Sequence, residues 1–72
     1  MLGQVIKRHR LEKGMSQQNL YDKAFPKTAN PTGRAYISRI ENRGRQPSFD
    51  ALIAIARALD TRPSTLLKEA GL

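Results

Sequence analysis

Apolar residues recur along the chain at the three- and four-residue spacing of helices, and no stretch alternates between apolar and polar positions as strands do. Over residues 2–13 this spacing places Leu2, Ile6 and Arg10 on one stripe. Gly14 follows a basic last turn, as expected where a helix stops. The pattern therefore predicts a first helix over residues 2–13.

Turn chemistry separates the second and third predicted helices. The second helix is predicted over residues 17–24, with Ser16 as its N-cap. The sequence then reads FPKTANPTG, and its two prolines, asparagine and glycine are typical of turns. We therefore expect the third helix to begin at Thr32 or Gly33 and to end near Asn42.

The last third of the chain carries the strongest core signal. Ser48 caps a fourth predicted helix over residues 49–60, whose leucine, isoleucine and alanine residues form one apolar stripe. Pro63 then opens a short fifth helix that Gly71 ends. The sequence thus predicts a compact all-α domain of five helices over residues 1–72, with an extended turn between helices two and three.

Positive charge is concentrated in the first two thirds of the chain. Thirteen Lys and Arg residues against six Asp and Glu residues give a formal net charge of +7. Ten of the basic and three of the acidic residues lie within residues 1–48, whereas residues 49–72 carry three of each. A basic front and a neutral rear favour a nucleic-acid partner, and the alternative is ordinary solvated surface charge.

Several functions are disfavoured by features that the sequence lacks. The absence of cysteine excludes disulfides, and a lone histidine, His9, offers no metal site, so we expect it to be exposed among its basic neighbours. Without a phosphate-binding glycine motif or an activated nucleophile, we expect neither an enzyme nor a bound cofactor or small molecule. Without a membrane-length apolar run or a signal-peptide pattern, we expect a cytoplasmic, nucleoid-associated protein.

Four segments stand in a characteristic order along the chain: IKRHRLEKGMSQQNL, RAYISRIE, QPSFDALIAIARAL and PSTLL. Together they cover nearly the whole chain and resemble the Cro and phage-repressor (XRE-type) family of helix-turn-helix domains. RLEKGM and RAYIS are also similar, more weakly, to the controller proteins of restriction–modification systems. The resemblance implies a five-helix, lambda-repressor-like domain in which helix three enters the major groove of DNA and helix two crosses the backbone.

The resemblance also implies DNA-binding roles by position. Ser16 and Gln17 match the family's helix start that contacts a phosphate. The matches to its base-reading helix face are Arg34, Ala35, Ser38 and Arg39. Arg43 and Arg45 match the loop that follows this helix. Arg34 and Arg39 are the expected base readers, because a guanidinium donates two parallel hydrogen bonds to guanine. For Tyr36 two readings stay open: its hydroxyl contacts a phosphate or a base step, or its ring packs against the helix-two turn.

Arg10 and Glu41 match a pair that, in several family members, joins helix one to helix three by a partly buried salt bridge. The residues themselves point the same way, because Arg10 lies on an apolar stripe where an unpaired charge is costly. We therefore expect a structural ion pair, and the alternative is that both charges are solvated.

The sequence departs from the family pattern at three points. The turn over residues 25–33 is about six residues longer than is usual in the family. Its length makes three residues candidates for additional DNA contacts: Lys27, Thr28 and Asn30. Tyr21 stands where the family prefers alanine, and Gly44 lies one residue later than the family's glycine.

One helix-turn-helix contacts too few base pairs for useful discrimination, so we expect a homodimer on palindromic double-stranded DNA. The candidate dimer seam is Ile53, Leu67 and Leu72, and the alternative is that these residues complete the core. The favoured function is a transcriptional regulator that reads a specific operator. Two alternatives remain: a DNA-binding antitoxin of a toxin–antitoxin pair, and an interaction module that does not read DNA.

Overall fold

The computed structural model describes residues 2–28 and 30–72, and within these residues every regular element is a helix. The five helices are α1 (Leu2–Glu12), α2 (Gln17–Ala24), α3 (Gly33–Arg43), α4 (Phe49–Ala58) and α5 (Pro63–Glu69). Helix α2 packs on α3 and α4, α1 packs on α3 and α5, and α5 also contacts α4. The predicted all-α architecture of five helices is confirmed.

Local capping explains where α2 and α4 begin. The Ser16 hydroxyl accepts a hydrogen bond from the Asn19 amide at 2.9 Å, and the Asn19 side chain accepts one from the Ser16 amide at 3.2 Å. The Ser48 hydroxyl accepts from the Ala51 amide at 3.1 Å in the same way. Caps of this kind stabilise a helix by about 1 kcal/mol each, which accounts for the sharp starts of α2 and α4.

Left-handed backbone conformations explain where several helices end. Gly14 and Gly44 have φ values of +68° and +69° and terminate α1 and α3. Helix α4 ends two residues earlier than predicted because Asp60 adopts φ +58° and the Thr61 amide donates to the Ala56 carbonyl at 2.9 Å. Asp is one of the few non-glycine residues that accept this conformation at small cost.

All five helices contribute to one apolar core. Its fully buried large side chains are Ile6, Leu20, Ile37, Ile40, Ile55, Leu59 and Leu66. Burial of each such side chain contributes roughly 1.5–3 kcal/mol, so packing is the main source of stability. This core holds α3 by its inner face and leaves its outer face to solvent.

Helix α1 approaches α3 unusually closely at Gly3. A Cβ atom at this position would lie 2.3 Å from the Ile40 carbonyl oxygen, so only glycine fits. The Gln4 side-chain amide donates to the Glu41 carbonyl at 3.4 Å beside this contact. The absence of a side chain at Gly3 therefore sets how closely α3 packs against α1.

The longest helices among the described residues, α1 and α3, have 11 residues each, and none of the helices is long and apolar enough to cross a membrane.

Candidate nucleic-acid interface

Helix α3 presents a polar and basic outer face. Its inner face buries Gly33, Ile37, Ile40 and Glu41, while Arg34, Ala35 and Arg39 are exposed and Ser38 is half-buried. At about 100° per residue, Arg34, Ala35, Ser38 and Arg39 span roughly 140° of the helix surface. The structure therefore brings the four residues expected to read bases onto one side of one helix.

Asn42 lies on the same side of α3 and was missed by the sequence analysis. It is exposed, and its side-chain amide donates to the Ser38 hydroxyl at 3.2 Å. Its spacing of four residues from Ser38 was the available signal, because residues at i and i+4 are neighbours on a helix surface.

A buried ion pair ties the C-terminal half of α3 to α1. Arg10 Nε donates to Glu41 Oε2 at 2.7 Å, and Arg10 Nη2 donates to Glu41 Oε1 at 3.0 Å. Arg10 Nη1 donates to the Met15 carbonyl at 2.7 Å. Arg10 is 6 % exposed and Glu41 is 3 % exposed. Two parallel hydrogen bonds in a dry site make this pair strongly directional.

Gln17 belongs to the same cluster, in contrast to the expectation that its side chain faces a phosphate. Its Nε2 donates to Glu41 Oε1 at 3.2 Å, and the residue is half-buried. The physical reason is that a buried carboxylate needs several donors, and Arg10 alone does not saturate both oxygens. The Gln17 side chain is therefore engaged within the fold, and a phosphate contact stays a prediction only for its backbone amide at the start of α2.

The inserted turn is braced by Asn30 at its C-terminal end. Asn30 Oδ1 accepts from the Thr32 amide at 2.9 Å and from the Thr32 hydroxyl at 2.7 Å. The Asn30 carbonyl accepts from the Gly33 amide at 3.0 Å. Asn30 was a candidate DNA contact, but its carboxamide oxygen is used within the turn, whereas Lys27 and Thr28 are exposed.

Three aromatic rings pack against one another: Tyr21 of α2, Phe25 at the start of the inserted turn, and Tyr36 of α3. The ring centroids of Tyr21 and Phe25 are 5.0 Å apart, and each of these rings is 6.1 Å from that of Tyr36. A Cβ atom on Gly33 would lie 2.2 Å from Tyr21 Cδ2, so the Tyr21 ring rests directly on this glycine. The tyrosine that departs from the family's alanine is therefore matched by a glycine at the start of α3.

The Tyr36 ring also carries Arg45 on one face. The Arg45 guanidinium carbon lies 5.6 Å from the ring centroid, within the range of a cation–π interaction. Burial raises the pKa of the Tyr36 hydroxyl, and the positive charge of Arg45 partly opposes this rise. The Tyr36 ring is therefore packed within the fold, while a contact of its hydroxyl with DNA stays a prediction.

Gln18 is a further residue that the sequence analysis missed. Its Nε2 donates to Asp22 Oδ1 at 2.9 Å and to the Asn30 carbonyl at 3.4 Å. Its Oε1 accepts from the Arg34 amide at 3.2 Å. One side chain thus connects α2, the inserted turn and the first turn of α3.

The candidate dimer seam stays a prediction, whereas the expectation for His9 is wrong. Of the candidate dimer seam, Ile53 and Leu67 are half-buried, Leu67 packs against the core, and Leu72 is 76 % exposed. His9 was expected to be exposed, but it is half-buried and lies 2.8 Å from Glu69 Oε1 of α5. The reason is that α5 folds back along α1 and brings a carboxylate to it.

Glu69 also forms an ion pair with Arg8. The hydrogen bond with His9 is the main cause that lowers the pKa of the Glu69 carboxyl, and Arg8 adds to the effect. Two large apolar side chains that the sequence analysis did not single out are also exposed: Leu11 at 58 % and Phe49 at 68 %.

Comparison with known proteins shows which family the chain matches. A family model described as helix-turn-helix matches residues 6–66. The transcriptional regulators named SinR of Bacillus licheniformis and of Bacillus subtilis (strain 168) are each 39 % identical to the chain over 70 residues. The match covers 96 % of this chain but only 58 % of each regulator.

No solved structure matches the chain significantly. The family match spans most of the chain, and it includes α2, the inserted turn and α3, where the candidate contacts lie. The resemblance of the sequence to Cro and phage repressors is confirmed, and the chain belongs to the XRE-type helix-turn-helix family.

Proposed function

We propose that the chain is a DNA-binding transcriptional regulator that inserts α3 into the major groove of a specific site. The observation that carries the proposal is the charge of α3. Its outer face holds exposed Arg34 and Arg39, and its single acidic residue, Glu41, is buried against Arg10. A helix surface with exposed guanidinium groups and no exposed carboxylate suits guanine edges and phosphates.

Backbone contacts are proposed on both sides of α3. At the start of α2 the proposed phosphate donors are the Gln17 backbone amide and the Ser16 hydroxyl, which accepts from the Asn19 amide and keeps its own hydrogen to donate. The proposed phosphate contacts from the inserted turn and from the end of α3 onward are Lys27, Thr28, Arg43 and Arg45, all of them exposed. These contacts orient the protein on the duplex, while Arg34, Ala35, Ser38 and Arg39 read the sequence.

A homodimer on a palindromic operator completes the proposal. Half-sites about 34 Å apart would place two copies of α3 in successive major grooves on one face of the DNA. The neutral rear supports this arrangement, because residues 49–72 carry balanced charge and Leu72 exposes most of its side chain. Ile53, Leu67 and Leu72 are the proposed seam, with the partly buried pair contributing only its outward atoms.

The test is equilibrium binding to a selected site and to random duplex DNA over a range of salt concentrations. Specific binding should weaken with a log–log slope of about −0.9 per neutralised phosphate. Arg34→Ala or Arg39→Ala should cost about 1–3 kcal/mol on the selected site and relax its sequence preference. Arg57→Ala, which removes an exposed cation of α4, is the matched control and should change neither.

Two outcomes would redirect the proposal. A salt slope near zero would favour the interaction module over a DNA reader. Light scattering that shows only monomers at tens of micromolar concentration, with and without the operator, would remove the dimer while leaving the DNA contacts of α3 in place.

A further inference from the structure

Helix α3 begins without a cap of its own. Among the described residues its N-cap is Thr32, which has φ −96° and ψ 11° and makes no side-chain hydrogen bond to the amides of α3. The Thr32 hydroxyl instead donates to Asn30 Oδ1 at 2.7 Å. The first amides of a helix lack intrahelical acceptors. In α3 the Gly33 and Ala35 amides donate to the Asn30 and Thr32 carbonyls at 3.0 Å, so the Arg34 amide between them needs an acceptor from elsewhere.

Gln18 supplies that acceptor from the neighbouring helix. Its Oε1 accepts from the Arg34 amide at 3.2 Å, across a separation of 16 residues in the chain. Arg34 is the second residue of α3, the position whose amide an N-cap side chain commonly bonds. The turn and α2 thus share the capping of α3: the Asn30 carbonyl accepts from the Gly33 amide, and the Gln18 side chain accepts from the Arg34 amide.

Asp22 determines which way the Gln18 carboxamide points. Because the carboxylate accepts from Gln18 Nε2 at 2.9 Å, the amide nitrogen faces Asp22 and the oxygen is left for Arg34. The same nitrogen donates to the Asn30 carbonyl at 3.4 Å. A flipped carboxamide would set two oxygens against each other at Asp22, so the arrangement has one orientation.

The length of the inserted turn explains why α3 needs the hydrogen bond to Gln18. Eight positions of the chain, 25–32, separate α2 from α3. A longer connection constrains the start of the next helix less than a tight turn does. The Tyr21 ring limits how closely Gly33 approaches, but a ring against a glycine does not stop sliding along its face. The hydrogen bond to the Arg34 amide supplies the missing restraint.

We propose that Gln18 is a positioning residue that sets how Arg34 enters the major groove. The inference rests on the proposed function, since Arg34 is its proposed base reader. Bidentate contacts tolerate displacements of only about 0.5 Å and 10–20°, so a looser start of α3 weakens guanine recognition before it weakens phosphate binding. Gln18 therefore controls sequence preference without touching a base.

The test is a double-mutant cycle with Gln18→Met, Arg34→Ala and the double variant, measured on the selected site and on random duplex. Methionine keeps the length of the side chain and removes its hydrogen bonds. Gln18→Met should lower specific affinity about five- to tenfold, the lower part of what one bidentate contact contributes, and leave random-duplex affinity unchanged. Arg34→Ala should then cost less in the Gln18→Met background than in the wild type.

Each result of the cycle has one meaning. Effects of Gln18→Met and Arg34→Ala that simply multiply would overturn the positioning role, although the Arg34 loss alone would still support the proposed function. If Arg34→Ala leaves site preference intact, the proposed function itself fails. Arg57→Ala repeated in the Gln18→Met background is the control, and it should show no coupling.

Two further measurements keep the test independent of folding defects. The Arg34 amide should exchange its hydrogen several-fold faster in Gln18→Met than in the wild type, while core amides of α4 keep their rates. Asp22→Ala leaves Gln18 in place but removes the group that orients it, so the ratio of specific to random binding should fall. An unchanged Arg34 exchange rate or an unchanged ratio in Asp22→Ala would count against the positioning role.

Discussion

The two ends of α3 are held by different kinds of interaction. The C-terminal half is tied to α1 by the buried Arg10–Glu41 pair and by the bare backbone of Gly3. The N-terminal end is held by neutral groups, the Gln18 carboxamide and the Tyr21 ring that rests on Gly33. One end is therefore anchored by a buried ion pair, and the other by a half-buried carboxamide and a buried aromatic ring.

This difference separates two requirements of a recognition helix. A buried pair is expensive to break, because removing one partner leaves the other charge desolvated, so the C-terminal end stays fixed to the fold. A half-buried carboxamide contributes a single neutral hydrogen bond to the Arg34 amide, worth only about 0.5–1.5 kcal/mol. We infer that the first anchor serves stability and the second serves presentation of the helix to DNA.

The largest expected effect is at the charged anchor. Glu41→Ala should lower the free energy of unfolding by about 3–5 kcal/mol, because it leaves the Arg10 guanidinium buried without its carboxylate. A domain of this size has a total stability of roughly 4–11 kcal/mol, so the variant should be partly unfolded at ambient temperature. Urea unfolding followed by circular dichroism measures the loss.

A paired replacement provides the control for Glu41→Ala. Arg10→Met combined with Glu41→Leu removes both charges and fills the same space with apolar atoms, so most of the stability should return. A Glu41→Ala protein as stable as the wild type would show that the pair does not anchor α3.

The aromatic anchor should have the next largest effect. Gly33→Ala should destabilise the fold by about 1–3 kcal/mol, because its Cβ would overlap the Tyr21 ring. Tyr21→Ala should also destabilise it, by about 3 kcal/mol, through loss of a buried ring. In the Tyr21→Ala background, however, Gly33→Ala should cost little or nothing, since the space is then empty.

The interaction energy from these four unfolding curves is the decisive quantity. A coupling of 1 kcal/mol or more in favour of the double variant supports the match between Tyr21 and Gly33. Additive losses would mean that the ring moves aside without cost and that Tyr21 is only a core residue.

A smaller effect is expected at the contact between the Tyr36 ring and the Arg45 guanidinium. Tyr36→Phe keeps the ring face and should preserve both stability and DNA affinity. Tyr36→Leu should lose about 0.5–1 kcal/mol of stability with the cation–π contact and weaken DNA binding by releasing Arg45. If Tyr36→Phe alone weakens binding as much as Tyr36→Leu, the hydroxyl contacts DNA directly.

The parts of this structure that sequence predicts well are those governed by near neighbours in the chain. Ser16 and Ser48 start helices by bonding to amides three residues away, so their signal is local. The apolar stripes fix which face of each helix is buried. The sequence also predicts that Arg10 has an acidic partner, because a charged residue on an apolar stripe needs an opposite charge.

The contacts that sequence did not predict connect residues far apart in the chain. Gln18 reaches a backbone amide 16 residues away, and His9 meets a carboxylate 60 residues away. A polar residue near a helix start or among basic residues carries no sign of such partners. For the same reason the sequence does not show that the Gln17 side-chain amide turns inward and donates to the buried Glu41 carboxylate.

The smallest effect is expected at the surface contacts of Glu69 with Arg8 and His9, in which the Glu69 and Arg8 side chains are exposed to solvent. Glu69→Gln should shift the unfolding temperature much less than any change at the anchors of α3, because solvent and salt screen its interactions with Arg8 and His9. The pKa of Glu69 is lowered in the fold, so its contribution is present above the ordinary range of a glutamate and is lost as pH falls through the lowered pKa. Thermal unfolding of wild type and Glu69→Gln should therefore converge in acid and differ slightly near neutral pH, with the difference shrinking at high salt. A Glu69→Gln loss as large as that of Glu41→Ala would mean that exposed and buried charges anchor this fold equally, and the distinction between the ends of α3 would lose its physical basis.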